Sequence, residues 1–242
     1  MNDFILTNAA IFSAKAGSEL FNGYVAVQDG LISQVGSGDP PAALAARETR
    51  DLGGRLLTPG LIDPHSHLIF GGSRPKELMA RLGGSTYMEL DETGGIRASV
   101  RATREASDEA LLERGRKVLG QMLELGVTTL EAKSGYGLDR ETELRQLRLA
   151  RKLDGSPVSI VNTYMGAHAT PYDMAHDDYI RLMMDEVMPE VAGQGLAEFV
   201  DVFCEAGVFS IEERRAILTR ARELGFGLKM HADEIVSLGG AE

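Results

Sequence analysis

The 242-residue chain lacks several features that mark other classes of protein. Cys204 is its only cysteine, which excludes an internal disulfide and a zinc cluster built on cysteines. No apolar run approaches the roughly 18 residues that a membrane-spanning helix needs. The opening segment has an acid, Asp3, where a secretory signal peptide has cations. These absences predict a cytoplasmic protein that is not inserted in a membrane.

Positive charge is also scarce. The chain has 25 Lys and Arg against 36 Asp and Glu, which gives a formal net charge of -11. Such a balance argues against a surface for nucleic acid or for an anionic membrane. It does not argue against an anionic small substrate, because a local arginine and a metal ion can dominate the field within one site. The apolar share of 43% is typical of a globular domain.

The pattern of apolar and polar residues changes after residue 57. Residues 1–57 consist of short alternating stretches, and Asp29-Gly30 between two of them predicts a β-hairpin. We interpret this part as the N-terminal portion of a small β-sandwich domain. From residue 58 onward, apolar strands alternate with amphipathic helices, one of which should begin at the capping box formed by Ser210 and Glu213.

Five strand candidates follow residue 57, and their spacing of roughly 30 to 40 residues is the rhythm of parallel βαβ units. They are "RLLTPGLIDPH", "GVTTLEAKSG", "VSIVNTYMGAH", "FVDVFCEAG" and "FGLKMHADE". An open doubly wound sheet and a (β/α)₈ barrel both fit this rhythm. Four of the five strands end in residues suited to chemistry, which favours the barrel. The absence of a glycine-rich phosphate motif lowers the odds of a dinucleotide fold.

A complete (β/α)₈ barrel usually takes about 250 residues by itself. We therefore expect residues 58–242 to be the first portion of such a barrel, with about five βα units present and the C-terminal remainder missing. The predicted fold is thus α/β, a TIM barrel joined to a small N-terminal β-sandwich domain.

Two histidines stand one residue apart where the first of these strands ends. Side chains alternate along a strand, so His65 and His67 should project from the same face and could bind one metal ion. His231 ends the last strand, and three imidazoles suit zinc or iron. The alternative interpretation is two surface histidines in a turn and a third with a structural role.

These segments amount to a resemblance. "LTPGLIDPHSHLIFGG" resembles the first-strand motif of the amidohydrolase superfamily. "FGGSR", "AKSGYGLDRETELRQLR", "GAHATP" and "KMHADE" are similar to the imidazolonepropionases, the cyclic amidohydrolases of histidine degradation. The resemblance implies one zinc or iron ion at the mouth of the barrel. It also implies hydrolysis of 4-imidazolone-5-propanoate to N-formimidoyl-L-glutamate.

Carried over residue by residue, the resemblance implies two groups of site residues. The metal ligands would be His65, His67 and His231. The residues that contact the anionic substrate would be Arg74, Tyr136, His168 and Glu234, with Tyr87 a weaker candidate. Arg74 could hold the propionate by a bidentate fork. An acid near His231 or Glu234 would protonate the leaving ring nitrogen.

Each of these residues also has an ordinary interpretation. Arg74 could be a solvated loop residue, Tyr136 a turn residue and His168 a satisfied core histidine. Glu234 could be an acid at the start of a helix. Cys204 and His176 are assigned no role.

The chain departs from the family pattern in places. It has Thr93-Gly94-Gly95 where a triple glycine is expected, and Ser66 replaces the commoner threonine. The family's fourth ligand, an aspartate, and a later histidine would lie beyond residue 242. Some superfamily members bridge two metals with a carbamylated lysine on the fourth strand. Here the fourth strand, "FVDVFCEAG", has no lysine, and Lys133 lies on an earlier strand. Lys133 is therefore not expected to bridge two metals, and one metal is predicted.

Two alternatives stay open at this point. The chain could belong to another cyclic amidohydrolase or aminohydrolase that acts on a different ring. It could instead be an inactive truncated fragment that binds metal. A homodimer is expected on base rates alone.

Overall fold

The structure is a computed structural model that describes residues 1–17, 19–84, 94–155, 157–237 and 239. The chain divides into two compact units, Met1–Gly60 and Leu61–Glu242. No helix in the described ranges combines the length and the apolar character needed to cross a membrane.

The first unit is a five-stranded mixed sheet. Its strands are β1 (Asn2–Ile11), β2 (Phe21–Gln28), β3 (Leu31–Ser37), β4 (Ala46–Asp51) and β5 (Leu56–Leu57). The order is β3-β2-β1-β4, with β5 also beside β1. Strands β2 and β3 are antiparallel and meet at Asp29-Gly30, where both residues have positive φ. A two-residue hairpin turn of type I′ has that conformation, and the strands pair directly on either side of it, so the predicted hairpin is confirmed.

The second unit contains five parallel strands in chain order, which is the order of successive strands in a barrel. The strands are β6 (Leu61–Ser66), β7 (Val127–Lys133), β8 (Ser159–Ala167), β9 (Phe199–Cys204) and β10 (Gly227–Ala232). The helices are α1 (Pro75–Leu82), α2 (Gly95–Glu105), α3 (Asp108–Glu124), α4 (Arg140–Leu153), α5 (His176–Leu182), α6 (Met188–Gly193) and α7 (Ile211–Glu223). A π-helical turn, Met183–Val187, joins α5 to α6.

The two faces of this parallel sheet differ because side chains alternate along each strand. On one face Leu130 and Ala132 of β7 pack with Leu149 of helix α4. Val200 and Val202 of β9 lie in the neighbouring apolar cluster on the helical side. Glu131, Lys133 and Asp201 alternate with these residues, so they project from the opposite face. The fold therefore gathers charged side chains on the face that the helices leave uncovered.

The capping box predicted from the sequence is present at the start of α7. The Ser210 hydroxyl accepts from the Glu213 amide at 3.2 Å, and the Glu213 carboxylate accepts from the Ser210 amide at 2.7 Å. The helix ends at Glu223, and its C-cap Leu224 is followed by Gly225, whose φ is 89°. Local residue choice therefore sets both ends of this helix, and the start is the one that the sequence predicts.

Ser210→Ala should lower the free energy of unfolding by about 1 kcal/mol, because one amide of the first helical turn loses its acceptor. Urea denaturation followed by circular dichroism measures the change. Thr219→Ala is the matched control, since Thr219 lies exposed on the same helix and caps nothing. An equal effect of the two substitutions would contradict the assignment of the cap.

Candidate functional site

A buried charge network lies on the polar face of the parallel sheet. Lys133 Nζ is 2.7 Å from Glu131 Oε1 and 2.7 Å from Asp201 Oδ2, and each residue is 4% exposed or less. Lys229 Nζ approaches the same Glu131 oxygen at 2.9 Å, and the Thr163 hydroxyl donates to it. Charged groups are buried at acceptable cost only when they are paired in this way.

The pKa values of the two acids follow from this pairing. Burial by itself raises the pKa of Glu131, but bonds from Lys133, Thr163 and Lys229 bring it below its usual value. Burial likewise raises the pKa of Asp201, and bonds from His231 and Lys133 outweigh it. Both acids are therefore carboxylates at neutral pH.

The rings of His65 and His231 contact each other beside this charge network. Their Nε2 atoms are 2.8 Å apart and their rings are nearly perpendicular. The Nδ1 atom of His231 is 3.1 Å from Asp201 Oδ1, so this carboxylate orients the ring. When Nδ1 donates to Asp201, the Nε2 lone pair points toward His65. Burial, together with the charges of His231 and Lys133, lowers the pKa of His65.

The geometry of this pair suits a metal ion. Imidazole nitrogens lie about 2.0–2.1 Å from zinc, so two ligands of one tetrahedral ion are about 3.3 Å apart. A separation of 2.8 Å between the two Nε2 atoms needs only a small outward movement of either ring. Within the described part of the chain, however, no group of three or more His, Cys, Asp or Glu side chains could hold a metal as it stands. The Nε2 atoms of His65 and His231 converge, and a metal ion would need at least one further ligand near them.

His67 lies with a different set of rings. Its ring stacks on His168, with centroids 4.9 Å apart, and contacts Tyr136 at 4.7 Å. Its Nδ1 atom is buried and has no hydrogen-bond partner among the described residues. Burial, and then the charge of His168, lowers the pKa of His67 well below its usual value. The structure thus places a neutral, unsatisfied imidazole beside the predicted substrate residues, and its role as a ligand stays a prediction.

The predicted substrate residues form an aromatic group around His67. Tyr136 contacts Phe70 and His168 at centroid distances of 5.2 and 5.3 Å. The His168 Nδ1 atom is 2.9 Å from the Gly135 carbonyl oxygen, which makes Nδ1 the donor and leaves Nε2 to accept. Burial lowers the pKa of His168 to about 4, so its ring is neutral at pH 7.

Arg74 and Glu234 stand at the edges of the site. Arg74 forms an ion pair with Glu77 at 3.2 Å, and its charge acts on Tyr136 and His168. Burial nevertheless raises the pKa of Tyr136, which remains a phenol. Glu234 is exposed and lines the same opening of about 620 Å³ as His65 and His231. Tyr87 and Thr93 lie outside the described residues.

Sequence reasoning missed Asp201 and Phe203 on strand β9. Asp201 links Lys133 to His231, and Phe203 lies edge-on to both His168 and His231 at centroid distances of 6.4 and 5.9 Å. Phe203 therefore contacts one ring of the histidine pair and one ring of the aromatic group. An available signal was the acid within the apolar run "FVDVFC", since an acid in a buried strand needs a partner.

The chain is similar to known enzymes over most of its length. It is 50% identical, over 225 residues, to an imidazolonepropionase of Bacillus cereus (strain B4264). That match covers 91% of this chain and 53% of the relative, so the chain spans about half the length of the curated relatives it matches. No protein-family model matches the chain. The resemblance predicted from the sequence is confirmed for the part of the relatives that the chain spans.

Solved structures share the fold at low identity. A 5-methylcytosine deaminase from Klebsiella pneumoniae superposes with a TM-score of 0.68 and 18% identity, over 96% of this chain and 51% of that one. An adenosine deaminase from Xanthomonas campestris with bound zinc gives 0.61 and 16%, over 96% and 50%. These neighbours confirm the predicted amidohydrolase fold, here a parallel half-barrel of five strands with a separate mixed sheet.

Lys133→Met should lower the free energy of unfolding by about 3–5 kcal/mol, because it leaves Glu131 and Asp201 buried without the cation between them. Chemical denaturation measures the loss. Lys152→Met makes the same change at an exposed position and should have little effect. A loss of unfolding free energy in Lys133→Met no larger than in Lys152→Met would show that the network does not stabilise the sheet.

Proposed function

We propose that this chain, a homologue of imidazolonepropionases, is the metal-binding and ring-binding part of an enzyme that hydrolyses the cyclic amide of 4-imidazolone-5-propanoate. The product would be N-formimidoyl-L-glutamate. One observation carries the proposal: the converging pair of His65 and His231 and the group of His67, Tyr136 and His168 contact the same side chain, because Phe203 lies edge-on to both His231 and His168. A hydrolase for a flat anionic ring needs a metal-binding group beside a surface on which that ring can stack.

His65, His67 and His231 would hold one zinc or iron ion, because neutral imidazoles suit both metals. Such an ion supplies a Lewis acid for the ring carbonyl and lowers the pKa of a water molecule. The chain's own contribution is to fix the ligands. Asp201 holds His231 in the tautomer that presents Nε2, and Lys133 holds Asp201 in turn.

The aromatic group supports binding of the imidazolone ring. The ring of Tyr136 gives the flat substrate a surface to stack on, and the neutral His168 offers Nε2 as an acceptor for a ring N–H. Arg74 brings positive charge to the same place and would bind the propionate. Glu234, at the mouth of the opening, would move a proton to the leaving ring nitrogen.

Several properties of the whole protein remain predictions. We propose a cytoplasmic homodimer that binds a small anionic substrate and neither nucleic acid nor membranes. The negative net charge supports the last part. Light scattering at micromolar protein concentration tests the dimer, and a monomer would contradict it.

His231→Ala in a protein that contains this chain should abolish both bound metal and turnover of imidazolonepropionate, because it removes one of the two converging nitrogens. Elemental analysis and a spectrophotometric assay measure the two losses. His176→Ala is the control, since His176 bonds Thr170 and Glu213 instead. Wild-type metal content and turnover in His231→Ala would refute the proposed site.

The same assay separates the alternatives. Faster turnover of hydantoin, dihydroorotate or guanine than of imidazolonepropionate would assign a different ring. Stoichiometric metal and measurable turnover in the 242-residue chain by itself would refute an inactive fragment.

Arg74→Ala should raise the KM for imidazolonepropionate by about 10- to 100-fold, which is the loss expected for a hydrogen bond between charged groups. A substrate analogue with a carboxamide in place of the carboxylate isolates the effect. The analogue should bind the wild type and the variant equally. A KM change of the same size for both compounds would show that Arg74 does not recognise the carboxylate.

A further inference from the structure

The loop between β7 and α4 is wrapped around one buried carboxylate, that of Glu143. Glu143 is 1% exposed. Its Oε1 accepts from the amides of Gly135, Gly137 and Leu138 at 3.1, 2.8 and 3.0 Å, and its Oε2 accepts from Gly135 at 3.0 Å. Three backbone amides of one loop thus donate to a single side chain. Such a concave set of amides is how proteins bind anions, and here the anion belongs to the chain itself.

The position of Glu143 is fixed from the helix side. It lies in the first turn of α4, where the Asp139 carboxylate accepts from the Thr142 amide at 2.7 Å and caps the helix. The partial positive charge of a helix N-terminus favours a carboxylate at this place. Burial still raises the pKa of Glu143, against the opposing effect of the bonds from Ser134 and the loop amides.

The loop packs too closely against its surroundings to carry side chains at its glycines. A Cβ on Gly135, whose φ is +106°, would lie 2.7 Å from the Met165 carbonyl oxygen and 2.9 Å from His168 Nδ1. A Cβ on Gly137 would lie 2.7 Å from the Glu143 amide nitrogen. Leu138 has a φ of 52°, which is unfavourable for a leucine, and it is buried. Backbone strain of this kind persists only when its surroundings enforce it.

This loop carries Tyr136, one of the residues proposed to bind the substrate ring. Tyr136 stands between the two glycines whose amides bond Glu143. The Gly135 carbonyl, on the same residue as two of those bonds, accepts from His168 Nδ1 at 2.9 Å. One carboxylate therefore fixes the place of the Tyr136 ring and, through Gly135, the orientation of His168.

We propose that Glu143 is a positioning residue whose carboxylate shapes the loop that presents Tyr136 and orients His168 toward the substrate ring. The inference rests on the proposed function for the identity of that ring. The part that concerns the loop does not depend on it.

The test compares Glu143→Gln and Glu143→Ala with the wild type. Glutamine keeps the shape of the side chain but places an NH₂ where Oε2 accepts from Gly135. Alanine leaves all three loop amides without their acceptor. Glu141→Gln is the matched control, because it removes one charge from an exposed position two residues away on the same helix.

Two measurements report on the loop without substrate. Amide hydrogen exchange at Gly135, Gly137 and Leu138 should accelerate by at least about tenfold in Glu143→Ala, because these amides lose their acceptor. The acceleration should be smaller in Glu143→Gln and greatest there at Gly135, whose bond to Oε2 is lost. The ¹⁵N spectrum of His168 should change from one tautomer to a mixture, since Gly135 no longer holds Nδ1–H. The control should match the wild type in both measurements.

Kinetics then separate positioning from a loss of folding. In Glu143→Gln we expect kcat/KM for imidazolonepropionate to fall about tenfold, mainly through KM, with metal content and the circular dichroism spectrum unchanged. Wild-type exchange and an unchanged His168 spectrum in both variants would overturn the proposal. A changed loop with an unchanged KM would also overturn it.

If the wild type shows no turnover, the proposed function fails and the loop measurements alone decide the positioning role. A changed His168 spectrum in Glu143→Gln would then support it, and an unchanged spectrum would overturn it.

Discussion

The interaction on which the polar face depends is the burial of Lys133 between Glu131 and Asp201. Removing these charges from water is costly, and the two short contacts to Lys133 offset much of the cost, together with the contacts of Lys229 and Thr163 to Glu131 and of His231 to Asp201. The network joins strands β7 and β9, which are separated in the sheet by β8. It therefore holds together two strands of the half-barrel that share no backbone hydrogen bonds. From Asp201 it continues to His231, and through His231 to His65.

A second set of contacts organises the aromatic group in the same unit. Glu143 holds the loop that carries Tyr136, and the loop carbonyl of Gly135 holds His168. His67 stacks on the ring of His168. In both groups a buried carboxylate orients a histidine. Asp201 contacts His231 directly, and Glu143 acts on His168 through the backbone of Gly135.

Much of this could be predicted from the sequence, and the reasons are local. The Asp29-Gly30 hairpin and the cap at Ser210 depend on residues close together in the chain, and both are confirmed. The strand and helix rhythm predicted the parallel half-barrel. The contact between Lys133 and Asp201 could not be predicted from local sequence. Asp201 lies 68 residues from Lys133, and the contact depends on how strands β7, β8 and β9 align.

The two histidines of "DPHSH" show where the sequence stops being sufficient. By itself the sequence determined which residue types stand at the strand ends and which family they resemble. The alternation argument required the strand to continue through His67, but β6 ends at Ser66 and its pairing with β7 shifts register after Asp63. Beyond that end the backbone is free to turn the His67 ring toward Tyr136 and His168. Only the tertiary structure decided this, because the direction of the His67 side chain is set by packing against Tyr136 and His168, which lie 69 and 101 residues further along the chain.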